Sequence, residues 1–382
     1  MQKITDSLYY IGVNDHNIDL FEGQYAVPNG MAYNSYLIKD EKIAVLDSVE
    51  KAFGDEWLSN IDEVLKGESP DYLIIQHMEP DHSGSIVKFA DKYPNAKLIG
   101  NAKTFAFLNQ FFAQSYADRQ IVVKDGDTLD IGRKLQFVFA PMVHWPEVML
   151  TYDTKEKTLF SADAFGKFGA LDADEAWLDE ARRYYIGIVG KYGVQVQSLL
   201  KKAATLDIQR ICSLHGPVIE NNISDVISKY DTWSSYAAEK EGVLICYTSI
   251  YGNTEKAAFL LKEKLYAKGV NVAIYDIARM DLSLAVAEAF AYGKIVFATT
   301  TYNNDIFPAM RNFISNLCER NFQNKKLAII ENGSWGVQAG RIIKSMLEGS
   351  KNIVFSENTV TIKSALNDES RSQIDALADE LK

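Results

Sequence analysis

One stretch limits what this chain can become. In Gln76-His77-Met78-Glu79-Pro80-Asp81-His82-Ser83, two imidazoles and two carboxylates fall within six consecutive positions, directly after the apolar run Tyr72-Leu73-Ile74-Ile75. That run reads as a buried strand, so the cluster opens a loop at a strand end. Groups this densely ionisable repel one another or lose hydration unless a cation sits among them. The fold must then be one that brings strand-end loops together around a metal.

The other histidines follow the same rule. The chain has five: His16, His77, His82, His144 and His215. His144 comes after the apolar run Phe137-Val138-Phe139, and His215 after a strand expected at 210–214. Asp163, in Phe160-Ser161-Ala162-Asp163-Ala164, also stands at a strand end. A lone histidine after a strand is more often a packed or surface residue than a ligand. Four of the five in that position, two of them in the dense cluster, point to metal. The set His77, Glu79, Asp81, His82, His144, Asp163 and His215 is too large for one four-coordinate ion. It suits two metals with one carboxylate between them. Nitrogen and carboxylate oxygen without thiolate fit iron, manganese or zinc, and the carboxylate share leans toward the first two.

Composition narrows the class. The chain has 382 residues, 47% hydrophobic and 24% charged, enough for two globular domains with real cores. Its net charge of −11 disfavours nucleic acid and anionic membrane as partners, since both attract basic surfaces. Cys212, Cys246 and Cys318 are odd in number, widely spaced and set in apolar surroundings. That argues against a disulfide framework and for a reducing cytoplasm. No apolar run approaches about 18 residues, so no membrane span is expected, and the N-terminus lacks a signal-peptide pattern.

The pattern changes near Glu241, dividing the chain into 1–240 and 241–382. In the first part, strands are expected at 7–13, 34–38, 42–47, 72–75, 97–100, 120–123, 134–139, 148–152, 158–161 and 210–214. Helices are expected at 54–65, 83–93, 104–112, 174–206 and 225–239. Residues 120–161 read as a meander, and meanders with flanking helices predict two sheets sandwiched between helix layers. In the second part, strands at 243–247, 272–275, 295–298, 327–330 and 353–355 alternate with helices at 254–267, 282–290, 308–318, 338–347 and 368–381. This alternation predicts a flavodoxin-like, doubly wound parallel sheet that holds its ligand at the C-terminal strand ends.

Three loops of the second part carry its chemistry. Thr248, Ser249, Ile250, Tyr251, Gly252, Asn253 and Thr254 combine hydroxyls, backbone N–H groups and a helix N-terminus, as a phosphate cradle does. The plain alternative is a strand–turn–helix with Thr254 as N-cap. Thr300, Thr301, Tyr302, Asn303 and Asn304 form the second loop, and Gly333, Ser334, Trp335 and Gly336 the third. Polar backbone beside Tyr302 and Trp335 suits FMN, phosphate in the first loop and ring system against the other two.

Together these motifs resemble the flavodiiron proteins (A-type flavoproteins). In that family a metallo-β-lactamase-like αββα sandwich with a non-haem diiron site precedes a flavodoxin-like FMN domain. The likeness spans essentially the whole chain. Glu79 carries much of its specificity, since hydrolases of the same fold usually place a histidine there. The resemblance implies that His77, Glu79 and His144 bind one iron, that Asp81, His82 and His215 bind the other, and that Asp163 bridges them. It implies an oxidoreductase reducing O2 to water, NO to N2O, or both, with FMN relaying electrons from an external, rubredoxin-like donor. No rubredoxin-like module with paired CxxC motifs occurs in the sequence. A head-to-tail homodimer or a homotetramer is implied as well. Two features depart from the family pattern. Thr299-Thr300-Thr301 lacks the proline common in the second flavin loop, and Glu331-Asn332 precedes Gly333 in the third. Asp47, closing the Val45-Leu46 strand, is a candidate support for the metal loop. The alternative reading is a dizinc hydrolase joined to a flavodoxin domain, in which metal-activated water attacks an ester or lactam.

Overall fold

The computed structural model describes residues 2–382, which form two compact units. The first takes in residues up to 185 and 194–231, and the second 186–193 and 232–382.

The first unit is built on two sheets. One runs Gln2–Lys3, Leu8–Tyr10, Tyr36–Lys39, Ile43–Leu46, Tyr72–Ile74, Lys97–Gly100, Gln120–Val122. It is antiparallel through the hairpin of Tyr36–Lys39 with Ile43–Leu46 and parallel from there on. The other runs Thr128–Asp130, Lys134–Phe139, Met149–Asp153, Thr158–Phe160, Arg210–Cys212, with only the last pairing parallel. The expected meander is therefore corrected at its start. Gln120–Val122 closes the first sheet, and the second begins at Thr128–Asp130, a half-exposed, polar strand with no apolar signature.

Strand alternation explains the layers. Tyr36, Ile38 and Leu46 of one sheet share a buried cluster with Leu135, Phe137 and Phe160 of the other. Leu37, Val45 and Leu73, on the opposite face, are equally buried, which requires a helix layer above them. The helix Gly54–Leu65 supplies a matching apolar stripe of Trp57, Leu58, Ile61, Val64 and Leu65. Trp57 also donates to Ser35 Oγ at 3.0 Å. Each such side chain contributes about 1.5–3 kcal/mol by leaving water. The helix stops where Lys66 turns left-handed at φ 52°.

Two expected helices are broken. The helix expected at 83–93 starts earlier, as a short turn Pro80–Ser83 with proline in its first turn, followed by Ile86–Lys92. That earlier turn carries Asp81 and His82. The helix expected at 174–206 is interrupted by a π-turn, Tyr185–Val189, after Trp177–Tyr184.

The second unit is a parallel sheet ordered Val272–Asp276, Lys240–Tyr247, Tyr292–Tyr302, Lys325–Asn332, with helices between successive strands. The fifth position is shared by Ile353–Phe355 and Val360–Ile362, which pair with opposite ends of Lys325–Asn332. Only the first of these was expected. Tyr292–Tyr302 also runs further than expected and folds back onto Asp305–Ile306, so 299–302 is strand rather than loop. Among the described residues no helix is long and apolar enough to cross a membrane. The three cysteines are unpaired, with Cys212 and Cys246 buried.

Glu380, on the last helix, ties down the break in the fifth strand. It accepts from Glu357 N at 3.1 Å, Asn358 N at 3.1 Å and Asn358 Nδ2 at 3.0 Å, and pairs with Lys326 at 3.3 Å. Partial burial opposes ionisation, but these donors hold its carboxyl down at about 2. A depressed carboxylate stabilises the fold above its unfolded pKa and loses that effect as pH falls through the folded one. Thermal melts should show Glu380→Gln less stable than the parent at pH 7. The gap should narrow below about 4.5, the ordinary glutamate value. A gap unchanged down to pH 3 would contradict this.

Candidate metal centre and cofactor cavity

The metal loop is positioned from behind. Asp47, left-handed at φ 55° and fully buried, accepts from Gln76 N and Gln76 Nε2, each at 2.8 Å, and from His77 N at 3.3 Å. Burial pushes its carboxyl up to about 6, against the pull of Gln76 and of the His82 charge. Ser48 Oγ donates to His82 O at 2.7 Å, and Ser83 Oγ to Met78 O at 2.8 Å. The extended residues 77–79 and the turn that follows thus present His77 and Glu79, then Asp81 and His82, from one fixed loop.

The other three groups arrive from the second sheet. His144 sits on the loop after Lys134–Phe139, Asp163 after Thr158–Phe160, and His215 after Arg210–Cys212. Gly166 permits close approach of the last two: a Cβ there would lie 3.0 Å from Asp163 O and 3.3 Å from His215 Cβ. Tyr36 OH and Asn34 Nδ2 donate to Ser213 O at 2.8 and 2.9 Å, fixing the start of the His215 turn.

The seven side chains converge as two groups around Asp163. In one, His144 Nε2 lies 3.0 Å from Glu79 Oε2 and 3.0 Å from Asp163 Oδ2, and His77 Nε2 lies 3.2 and 3.5 Å from the same two oxygens. In the other, His82 Nε2 lies 3.1 Å from Asp81 Oδ2 and 3.3 Å from Asp163 Oδ1, and His215 Nε2 lies 3.3 Å from Asp81 Oδ2. Each group is compact enough for its donor atoms to meet on one ion. His16 stands apart, exposed and 3.3 Å from Asp172.

The donors fit cations rather than one another. His82 Nε2 and His215 Nε2 face each other at 3.0 Å. Both Asp81 oxygens and Asp163 Oδ1 are buried without a hydrogen-bond partner among the described residues. Such orphans are costly unless a charge neutralises them. Burial disfavours charge on the imidazoles, yet the surrounding carboxylates override it, pushing His82 up to about 10 and His144 up to about 9. Asp163 is likewise held well below the carboxylate range, against its burial, by His77, His144 and His82. The field favours positive charge at the ring nitrogens, which a metal ion supplies.

Four further residues bear on the centre, and none stands out in the sequence. Glu147 Oε1 is 2.8 Å from His77 Nδ1 and accepts from Met78 N at 2.9 Å, both in full burial. Glu22 is exposed at its own surface but lies against Glu79, and the protein packed around it together with that neighbour raises its carboxyl above the ordinary glutamate value. Tyr184, its hydroxyl buried without a partner, packs 5.4 Å from the His215 ring, as does Phe21.

The second unit holds a cavity of about 620 Å³ at the C-terminal strand ends. It is lined by Ser249, Ile250, Tyr251, Asn253 and Thr254 from the first loop, by 300–304 from the second and by 333–336 from the third. Asn332 and Ser364 join them. Asn332 links the loops, donating to Thr254 Oγ1 at 3.3 Å and accepting from Ser364 N at 3.1 Å. Thr248 does not line the cavity: it is fully buried, its hydroxyl 2.7 Å from Thr299 Oγ1. Gly252, at φ 82°, makes the turn into the helix Asn253–Ala267, and its N–H bonds Ser249 Oγ at 3.1 Å. Tyr251 and Trp335 are 89% and 96% exposed, large flat surfaces left uncovered at the rim.

Comparison with known proteins agrees with this division. Residues 31–216 match the ODP family beta lactamase model and 245–371 the flavodoxin model. An uncharacterized protein of Methanocaldococcus jannaschii is 32% identical over 96% of this chain and 94% of its own. A nitric oxide reductase of Moorella thermoacetica is 29% identical over 94% of this chain and 92% of its own. Among solved structures, the flavodiiron protein of Giardia intestinalis superposes with a TM-score of 0.93 at 27% identity, covering 100% of this chain and 95% of that one. Rubredoxin oxygen:oxidoreductase of Desulfovibrio gigas does so with 0.91 at 26%, covering 100% and 97%. With two domain matches in the family's order, the seven convergent donors and near-complete coverage by such relatives, this chain belongs to the flavodiiron proteins.

Proposed function

We propose that this chain is an oxidoreductase that reduces O2, NO or both at two iron ions, with one FMN as electron relay. The observation that carries the reading is the pair of donor groups sharing one buried carboxylate, Asp163. Relatives named for each gas support it. In this reading His77, Glu79 and His144 hold one iron, Asp81, His82 and His215 hold the other, and Asp163 bridges. FMN occupies the cavity of the second unit.

Iron held by these donors and FMN in the cavity would supply the redox chemistry, electron delivery to a diatomic gas. The chain's residues do the rest. Glu147 and the Ala32 carbonyl, 2.7 Å from His215 Nδ1, turn each Nε2 toward the centre. Phe21, Tyr33 and Tyr184 ring His215 and keep water from the buried charges. Hydroxyls and N–H groups at 249–254 receive phosphate at a helix N-terminus, and Tyr302 and Trp335 flank the flavin ring.

The remaining parts of the reading come from the family. Electrons arrive from an external, rubredoxin-like donor, and the chains assemble as a head-to-tail homodimer or as a homotetramer built from such dimers. The cysteine pattern and the net charge of −11, rather than the family, support a cytoplasmic protein with neither nucleic acid nor membrane as partner.

Loading the chain with FMN and either iron or zinc tests the reading. The reduced iron form should consume O2, NO or both, and the zinc form neither. An iron form inert to both gases, beside a zinc form that hydrolyses esters or lactams, would overturn it.

A further inference from the structure

The two metal positions carry the same donors: two imidazoles, one carboxylate of their own, and one oxygen of Asp163. They differ in what stands behind the imidazoles. His77 Nδ1 meets the Glu147 carboxylate at 2.8 Å, with both side chains fully out of solvent. His215 Nδ1 meets only a peptide carbonyl, Ala32 O, at 2.7 Å. His82 Nδ1 is buried with no hydrogen-bond partner among the described residues.

A charged acceptor polarises an N–H far more than a neutral carbonyl does, and it raises the basicity of the opposite ring nitrogen. Glu147 is well fixed for that task. The same Oε1 that meets His77 also accepts from Met78 N at 2.9 Å, and the Glu147 carbonyl accepts from Asn101 Nδ2 at 2.5 Å. Asn101 in turn caps the helix Ala102–Phe112, holding Lys103 N and Thr104 N. The main chain of Glu147 is thus tied to a helix end and its Oε1 to Met78 N, while Oε2 is buried with no hydrogen-bond partner among the described residues.

We propose that Glu147 is a positioning residue that makes the two metal positions unequal. The position at His77, Glu79 and His144 binds its ion more tightly, fills first and empties last. The other, with no carboxylate behind either imidazole, fills second. This rests on the two-metal reading above and adds the order of filling to it.

Titration of the iron-free, FMN-bound chain with Co2+ under anaerobic conditions tests the proposal, read by the visible d–d bands. The parent should bind in two steps separated by about 10–100-fold in affinity, the range that an outer carboxylate contributes. Glu147→Gln keeps the size and removes the charge. It should weaken the first step by about 10–100-fold and shift its bands, leaving the second step in place. Asp81→Asn should remove the second step and leave the first.

Two equal steps in the parent would overturn the proposal, and so would an effect of Glu147→Gln on the second step or on both alike. If Glu147→Gln does not fold by far-UV circular dichroism, Asp81→Asn decides. Survival of the weaker step in that variant would overturn the proposal. Failure of the parent to bind about two Co2+ per chain would instead defeat the two-metal reading itself.

Discussion

Asp163→Asn should empty both metal positions and reduce gas consumption by at least about a hundredfold. Losing a residue that merely supports a ligand costs about 10–100-fold in metal affinity, and Asp163 faces both donor groups directly. Its Oδ2 lies 3.0 Å from His144 Nε2, and its Oδ1 lies 3.3 Å from His82 Nε2. The amide keeps the shape of the carboxylate but removes one of the charges that balance four buried imidazoles. A substitution at Glu79 or Asp81 should deplete one position first. The Asp163 variant should deplete both together. Iron analysis of the purified variant separates these outcomes, with circular dichroism to show that the sandwich has folded. An Asp163→Asn chain retaining its full iron would show that this carboxylate is not shared.

Gly252→Val should lower FMN affinity by about tenfold or more while leaving iron content unchanged. Gly252 sits at φ 82°, in the left-handed region, at the turn between the Lys240–Tyr247 strand and the Asn253–Ala267 helix. Space is not the obstacle, since a Cβ there would meet nothing nearer than Glu255 at 3.8 Å. The cost is in the backbone. A left-handed conformation costs an L-residue roughly 1–2 kcal/mol, and a β-branched side chain tolerates it worst. Each 1.4 kcal/mol is a factor of ten in binding. The turn sets the helix N-terminus and the neighbouring hydroxyls, with the Gly252 N–H holding Ser249 Oγ in place, so a relaxed turn would lose the cradle without unfolding the sheet. Flavin fluorescence quenching on titration of the FMN-free chain measures the effect. Unaltered affinity would mean that phosphate is held elsewhere.

The candidate metal centre was the most legible part of the sequence because its chemistry is improbable without a ligand. His77, Glu79, Asp81 and His82 crowd a short loop behind a buried strand, and no packing argument accounts for them. All seven expected donors converge in the structure. Glu147 was not legible, because nothing local distinguishes a glutamate after Trp145-Pro146 from a solvent-facing one. Its partner, His77, is brought to it only by the two sheets coming together, where Met149 N bonds Gln76 O at 3.1 Å. Glu22 and Tyr184 were hidden for the same reason.

Sheet membership follows a similar logic. The strand at Gln120–Val122 was visible from its residues, but its parallel partner, Lys97–Gly100, lies across a helix. Local alternation says that a strand exists and not what it pairs with. In the second unit the alternation of strand and helix was strong enough to indicate a doubly wound parallel sheet. The break in its fifth strand, between Phe355 and Val360, has no comparable signal. Thr248 shows the limit from the other side. A hydroxyl in a hydroxyl-rich loop reads as part of a cradle, yet its partner is Thr299 on the neighbouring strand.

The most direct test of the central claim is a single-turnover electron count on the fully reduced, iron- and FMN-loaded chain. Two ferrous ions and a two-electron-reduced FMN hold about four electrons per chain, the number needed to take O2 to water. Mixed with O2, or with NO in a parallel run, the reduced chain should be reoxidised within one cycle, consuming about one O2 with no hydrogen peroxide released, or forming N2O from NO. Reduced protein that stays reduced in both gases, or that returns its electrons to O2 only as peroxide and leaves NO untouched, would contradict the account.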